Sequence, residues 1–229
     1  PEQNFTYIAA VRPRIAFVID IRRANLHLHL LYKALFELSA DRADFVSRLL
    51  IKKRPGGFTR TITAKQLMES FWDVFTGDET TFRASLADVF DVLTRRHGFP
   101  LSDDDRAGIE RIYHAFYWNG PRITWQARVS PPDRPPDPLQ PVPFGLPSWA
   151  DLMMLTDPSG VEQSFLATED DYLFVKDLQA RNLVVPVVGD FAGPKAIRAV
   201  GDYVRQRGVM VRTFYASNVE DILQNNGKR

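Results

Sequence analysis

The chain of 229 residues carries 29 basic against 28 acidic residues, a net charge of +1, so its composition makes no electrostatic case for nucleic acid or an anionic membrane. Its 45% hydrophobic and 12% aromatic residues can fill a sizeable core, yet no apolar run approaches the roughly 20 residues of a membrane span. The lack of cysteine excludes disulfides, thiolate nucleophiles and cysteine metal sites, and the length suits one large domain or a core carrying an inserted helical part.

Glu2–Val11 has a helical pattern, with Phe5, Ile8 and Ala9 on one face, and Pro13 stops it. Pro1 is not an initiator methionine, so the chain is expected to open inside an element; a targeting segment can lie outside it, and a cytoplasmic location is the expectation. Arg14–Asp20 (RIAFVID) is an apolar run ending in a carboxylate, the pattern of a buried parallel strand. Asn25–Ser39 follows as a Leu-rich helix. Helical periodicity then recurs in Asp41–Lys53, Thr63–Phe75, Asp78–His97 and Ser102–Trp118, broken at glycines and prolines. This block, residues 41–122, reads as an insertion with its own packed subcluster of Phe71, Trp72, Phe75, Phe82, Phe90 and Phe116. Ser102 before three aspartates is a good helix N-cap.

Residues 123–147 hold a candidate strand, Ile123–Val129, and then an extended strap, because Ser130–Pro147 contains eight of the sixteen prolines. Ser148–Leu155 is a short predicted helix and Val161–Leu166 a second candidate strand. Thr168 caps a helix reaching Arg181, which delivers the chain into Leu183–Ser217 (LVVPVVGDFAGPKAIRAVGDYVRQRGVMVRTFYAS). That stretch reads as strand, loop, helix, strand. Pro186 cannot donate to a ladder, which moves the regular part of the first strand toward Val187. Pro194 suits a first helical turn, Gly208 suits a left-handed C′ position, and Val209–Tyr215 is the second strand. Two strands joined by one helix lie parallel. The predicted fold class is therefore α/β, a Rossmann-like, mostly parallel sheet with a large helical insertion. Residues 1–40 and 148–229 form its core, and the strands are Arg14–Asp20, Val187–Asp190 and Val209–Tyr215.

In such a sheet, ligands bind at the carboxyl ends of the strands. Asp20 ends one strand, where an acid can accept hydrogen bonds from both ribose hydroxyls; the plainer reading is a helix cap or a pair with Arg22 or Arg23. Gly189-Asp190 with Gly193-Pro194-Lys195 offers glycines for close backbone approach and a helix N-terminus for an anion. It has neither GxxxxGK[ST] nor GxGxxG spacing, and an ordinary turn with a solvated Lys195 is the plainer reading. His27 and His29 are two apart on a helix and point to different faces, and there is no HExxH, so no metal site is expected. His97 and His114 read as surface or helix-end residues, and Tyr113, Phe116, Tyr117 and Trp118 as an aromatic packing cluster. No Gly-x-Ser-x-Gly elbow or Ser/His/Asp set stands out, so catalytic residues are unknown.

PEQNFTYIAAVRPRIAFVIDIRRANL resembles the first part of a class I S-adenosylmethionine-dependent methyltransferase fold, in which a Gly-rich loop leads into a helix and the next strand ends in the ribose-holding acid. Asp20 matches that acid, and Gly189-Asp190-Phe191 matches the segment bordering the methyl-transfer centre. With LFELSADRADF and NLVVPVVGDFAGPKAIRAVG, the stretch also resembles a widespread, uncharacterised bacterial family in which Gly-x-Gly precedes the Pro-Glu-Gln-Asn. The resemblance implies S-adenosylmethionine as cofactor and a small-molecule or unknown acceptor. The implied cofactor-binding set is Asn4, Asp20, Ile21, Arg22, Gly189, Asp190 and Phe191. Two departures stand against it: the Gly-rich loop is absent from this chain, and a helical block stands where a third strand belongs. A non-catalytic interaction protein on a degenerate Rossmann-like sheet is the runner-up, and a phosphate-ester-binding enzyme using Gly193–Lys195 the third reading.

Overall fold

A computed structural model of the chain describes residues 2–72, 74, 76–124, 146–217 and 219. In chain order these form α1 (Glu2–Val11), β1 (Ala16–Asp20), α2 (Arg23–Leu38), α3 (Arg42–Leu50), α4 (Ala64–Ser70) and α5 (Glu79–Phe90). A π-helical turn (Asp91–Arg96), α6 (Asp103–Asn119), a short 3₁₀ turn (Gly120–Arg122), α7 (Trp149–Met153), α8 (Glu169–Ala180), β2 (Val184–Val188) and α9 (Ala196–Gln206) follow. The protein is mixed α/β and mostly helical. No described helix is long and apolar enough to cross a membrane.

The sheet is smaller than its sequence pattern predicts. Among the described residues it has two strands, β1 and β2, parallel and in register from Ala16↔Val184 to Asp20↔Val188. Val209–Tyr215 does not join it: the segment has no strand pairing, and Met210 and Phe214 are 82% and 65% exposed. Strand preference is a preference for a half-buried pleated surface, and α9 brings the segment no such surface. Of α9, only Ala196 is buried. Gly208 does end this helix as expected, at φ +60°, with its N–H donating to Arg205 O and the Val209 N–H to Val204 O.

Pro186 sits inside β2, which begins at Val184 rather than Val187. The Ala16 N–H donates to Leu183 O and the Gly189 N–H to Asp20 O, so the odd-numbered residues of β2 face β1. Alternation then turns the even-numbered Pro186 outward, where its missing N–H breaks no ladder bond. Among the described residues neither further candidate segment shows a strand. Val161–Leu166 contributes one isolated bridge, Glu162 to Thr156. Ile123 and Thr124 carry no strand, and the rest of Ile123–Val129 lies outside the described residues, as does the proline strap up to residue 145.

The helices are started by side chains the sequence places well. Asp41, Thr63, Asp78, Ser102, Ser148 and Thr168 each accept from a backbone N–H of the first turn. The helical block does not keep a core of its own. Phe36 of α2 stacks on Phe45 of α3 and on Tyr172 of α8, with centroids 4.7 and 5.3 Å apart, and Phe5 of α1 meets Phe36 and Phe165 edge-on. All five rings are fully buried, each contributing about 1.5–3 kcal/mol of apolar transfer. Phe71, Phe82 and Phe116 are buried as expected, but Phe90 is only partly covered and Trp72 lies at the surface under the Arg122 guanidinium. Phe75 lies outside the described residues.

Candidate functional site

The carboxyl edge of the β-pair gathers most of the predicted site residues. Asp20 is the last residue of β1 and faces Val188, so Gly189 and Asp190 leave β2 on the same edge. Asp20 Oδ1 accepts from the Arg22 N–H at 2.8 Å and from Arg22 Nε at 3.2 Å, and Oδ2 accepts from Arg22 Nη2 at 3.1 Å. Partial burial opposes ionisation of Asp20, but these bonds outweigh it and hold the carboxyl below its ordinary range. The pairing with Arg22 is thus present. It uses both lone pairs of Oδ1 and one of Oδ2, so one acceptor position remains on Oδ2, and the side chain remains 22% exposed.

Asp190 closes its own loop. Its Oδ1 accepts from the Ala192 N–H at 2.9 Å and its carbonyl from the Gly193 N–H at 3.0 Å. Gly189 is demanded by packing: a Cβ there would lie 2.5 Å from Ala196 Cβ, where α9 begins. Phe191 is half-buried in that loop and Ile21 is exposed. Asn4 is half-buried in the first turn of α1, and no hydrogen bond joins it to this edge among the described residues. Lys195 gives α9 no side-chain cap.

A second constellation escaped the sequence reading. His27 and His29 take different faces of α2, as their spacing requires. His27 Nε2 donates to Asp105 Oδ1 at 2.8 Å, while the His29 ring lies edge-on to Phe5. Asp105 also takes the Arg23 guanidinium at 2.7 and 2.9 Å and the Ser102 hydroxyl at 2.9 Å. Led by the Arg23 bonds, these donors hold its carboxyl far below the usual range. The clue in the sequence was the capping position three residues after Ser102, but nothing local paired that acid with α2. Among the described residues no group of three or more potential metal ligands forms.

His97 is likewise not a free helix-end residue. The helix predicted as continuous over Asp78–His97 changes to a π turn after Phe90, and there the His97 N–H donates to Val92 O. His97 Nε2 meets the buried Glu37 carboxylate at 2.8 and 2.9 Å, and Lys33 Nζ donates to the same group at 2.7 Å. Burial works against ionisation of Glu37, but the Lys33 and His97 bonds prevail and lower its pKa.

Between these clusters lies a cleft of about 330 Å³. Leu26, His29, Leu30 and Lys33 of α2 form one wall, Phe99–Leu101 a second, and Gln179, Asn182 and Val184–Pro186 a third. Both ring nitrogens of His29 and the side-chain nitrogen of Gln179 are buried with no hydrogen-bond partner. Burial pushes the His29 pKa down to about 4, against the opposing pull of the Glu2 and Asp20 carboxylates, so the ring is neutral at pH 7.

A family model described as Domain of unknown function (DUF7790) matches residues 1–94 and 148–228. The matched segments bring β1 and β2 together and leave α6 outside. No curated protein and no solved structure matches the chain.

Proposed function

This chain belongs to that family, described as a domain of unknown function (DUF7790), and we propose that it is an S-adenosylmethionine-binding, methyltransferase-like protein whose cofactor lies at the carboxyl edge of the β-pair. The observation carrying this reading is the register that sets Asp20 opposite Val188, so that one carboxylate and the Gly189–Phe191 loop share an edge. Asp20 fits a ribose. Arg22 orients the carboxylate and keeps it ionised; Oδ2 keeps one lone pair for a ribose hydroxyl, and the second hydroxyl would take the place that Arg22 Nε occupies on Oδ1. The Gly189–Phe191 loop would border the adenine or methyl side, and Asn4, Ile21 and Arg22 would lie near the cofactor. When bound, S-adenosylmethionine would supply an activated methyl group to a small-molecule or unknown acceptor. The chain's own part would be positioning, and methyl transfer can proceed on proximity and orientation without a side-chain base.

The competing reading, a non-catalytic interaction protein, draws on the exposed apolar run Val209–Tyr215 and on the small size of the sheet. Calorimetric titration with S-adenosylmethionine, its demethylated product, NAD and ATP separates the two. The cofactor reading expects micromolar binding of the first two ligands, about 8 kcal/mol. Asp20→Ala should weaken it by roughly 1.5–3 kcal/mol, about ten- to a hundredfold, and Asp190→Ala by less. Circular dichroism must show both variants folded. A folded protein that binds none of the four at millimolar concentration leaves the interaction reading in possession.

A further inference from the structure

We propose that the cleft between α2, the Phe99–Leu101 loop and β2 binds an uncharged, mainly apolar small molecule of about two fused rings carrying both a hydrogen-bond donor and an acceptor. Size comes first. A cavity of roughly 150 Å³ takes one benzene ring, so about 330 Å³ suits a molecule of about two rings. The walls set the character of its body: Leu26, Leu30, Phe99, Pro100, Val185 and Pro186 offer hydrocarbon.

The polar groups set the rest. His29 is 2% exposed, borders the cleft and has neither ring nitrogen paired; Gln179, also 2% exposed, has its amide nitrogen unpaired on the opposite wall. Buried polar atoms are rarely left without partners in folded proteins, and two on one cleft point to a ligand that supplies them. A neutral imidazole offers one donor and one acceptor, and the Gln179 amide nitrogen a further donor.

Charge argues for a neutral occupant. Each charged group on the cleft wall already has its counterion: Arg23 binds Asp105, and Lys33 binds Glu37. An ionised ligand would enter with no partner of its own. The π turn that delivers Phe99 to this wall is a helix irregularity that recurs at functional sites. None of this depends on the cofactor reading, because the cleft uses neither Asp20 nor the Gly189–Phe191 loop.

The probe is 2-quinolone, an uncharged bicyclic lactam, followed by calorimetry and by the NMR signals of the His29 ring. Binding at about 0.1–1 mM is expected for a ligand of that size, with the His29 signals shifting in step. Leu101→Trp, which fills the cleft from its loop wall, should abolish it. His29→Phe should weaken it about tenfold, the loss of one buried hydrogen bond. Asp20→Ala should leave it unchanged, whatever happens to S-adenosylmethionine, and anionic 2-naphthoate should bind at least about tenfold more weakly. Three outcomes overturn the proposal: no 2-quinolone binding at millimolar concentration, binding indifferent to both Leu101→Trp and His29→Phe, or 2-naphthoate binding as tightly as the lactam. Circular dichroism on both cleft variants shows whether a lost signal reflects an unfolded chain, and the wild-type titration decides in that case.

Discussion

Gly108 of α6 lies so close to His27 of α2 that a Cβ built on the glycine would stand 2.2 Å from His27 Nδ1. The ring cannot swing aside freely, because Asp105 holds its other nitrogen at 2.8 Å. Contact of the two helices therefore depends on a missing methyl group.

Gly108→Ala tests that contact. Helix propensity alone favours alanine by about 1 kcal/mol, whereas overpacking at a locked contact costs about 1–3 kcal/mol. A net destabilisation of up to about 2 kcal/mol is expected in urea unfolding. A stabilised variant would show that the ring has room to move.

His29 should reveal itself through pH. Its folded-state pKa of about 4 lies below the ordinary 6.5, so the unfolded chain binds more protons between those values. The stability it protects is complete above pH 6.5 and is lost as pH falls toward 4, by roughly 3 kcal/mol. Asp20, Glu37 and Asp105 have lowered pKa values as well, and their losses come below the ordinary carboxylate range. Above that range Glu169, its pKa raised by burial, contributes with the opposite sign. The histidine's share is therefore the difference between the wild-type and His29→Phe curves from pH 6.5 to 4.5. In denaturation series, His29→Phe should remove this share, and a wild-type curve parallel to the variant's would exclude a buried neutral ring.

Gly189 and Ala196 should behave as a coupled pair. Gly189→Ala forces two Cβ atoms to 2.5 Å and should destabilise the fold by about 1–3 kcal/mol. Adding Ala196→Gly removes the opposing methyl and should restore part of that loss, a coupling of about 1 kcal/mol in a double-mutant cycle. Additive effects would mean that α9 starts farther from the strand end.

Arg42 is fully buried, and its guanidinium donates to the carbonyls of Leu166, Ala167, Arg60 and Ile62. Its Nε lies 3.4 Å from the buried Glu169. Arg42→Ala should cost about 3–5 kcal/mol, since it strands that carboxylate. It should also speed proteolysis at Pro55–Phe58, ahead of the loop that the guanidinium ties down. Arg42→Lys should not rescue, because one ammonium cannot span four carbonyls. Unchanged cleavage in a folded Arg42→Ala variant would rule out this tie.

Most helices were legible because their signals are local. Ser102 three residues before Asp105, Thr63 before Gln66, and the apolar spacing of α2 each lie within a turn or two of what they specify. The positions of β1 and β2, and the edge shared by Asp20 and Asp190, followed from two apolar runs and the rule that parallel strands share an end. Val209–Tyr215 misled because its β-branched pattern states a preference that needs a neighbouring strand to be realised. The π turn at Asp91–Arg96 had no local mark.

The order of elements, their caps and the acid at the end of β1 were determined by the sequence itself, through interactions spanning a few residues. Tertiary structure alone decided that Asp105 would bind His27 across 78 positions and that His97 would join the i,i+4 pair of Lys33 and Glu37. It alone decided that His29 would be buried without a partner beside a cleft. A polar side chain looks the same in sequence whether water or a buried wall surrounds it, and its role is set by the helix packed against it.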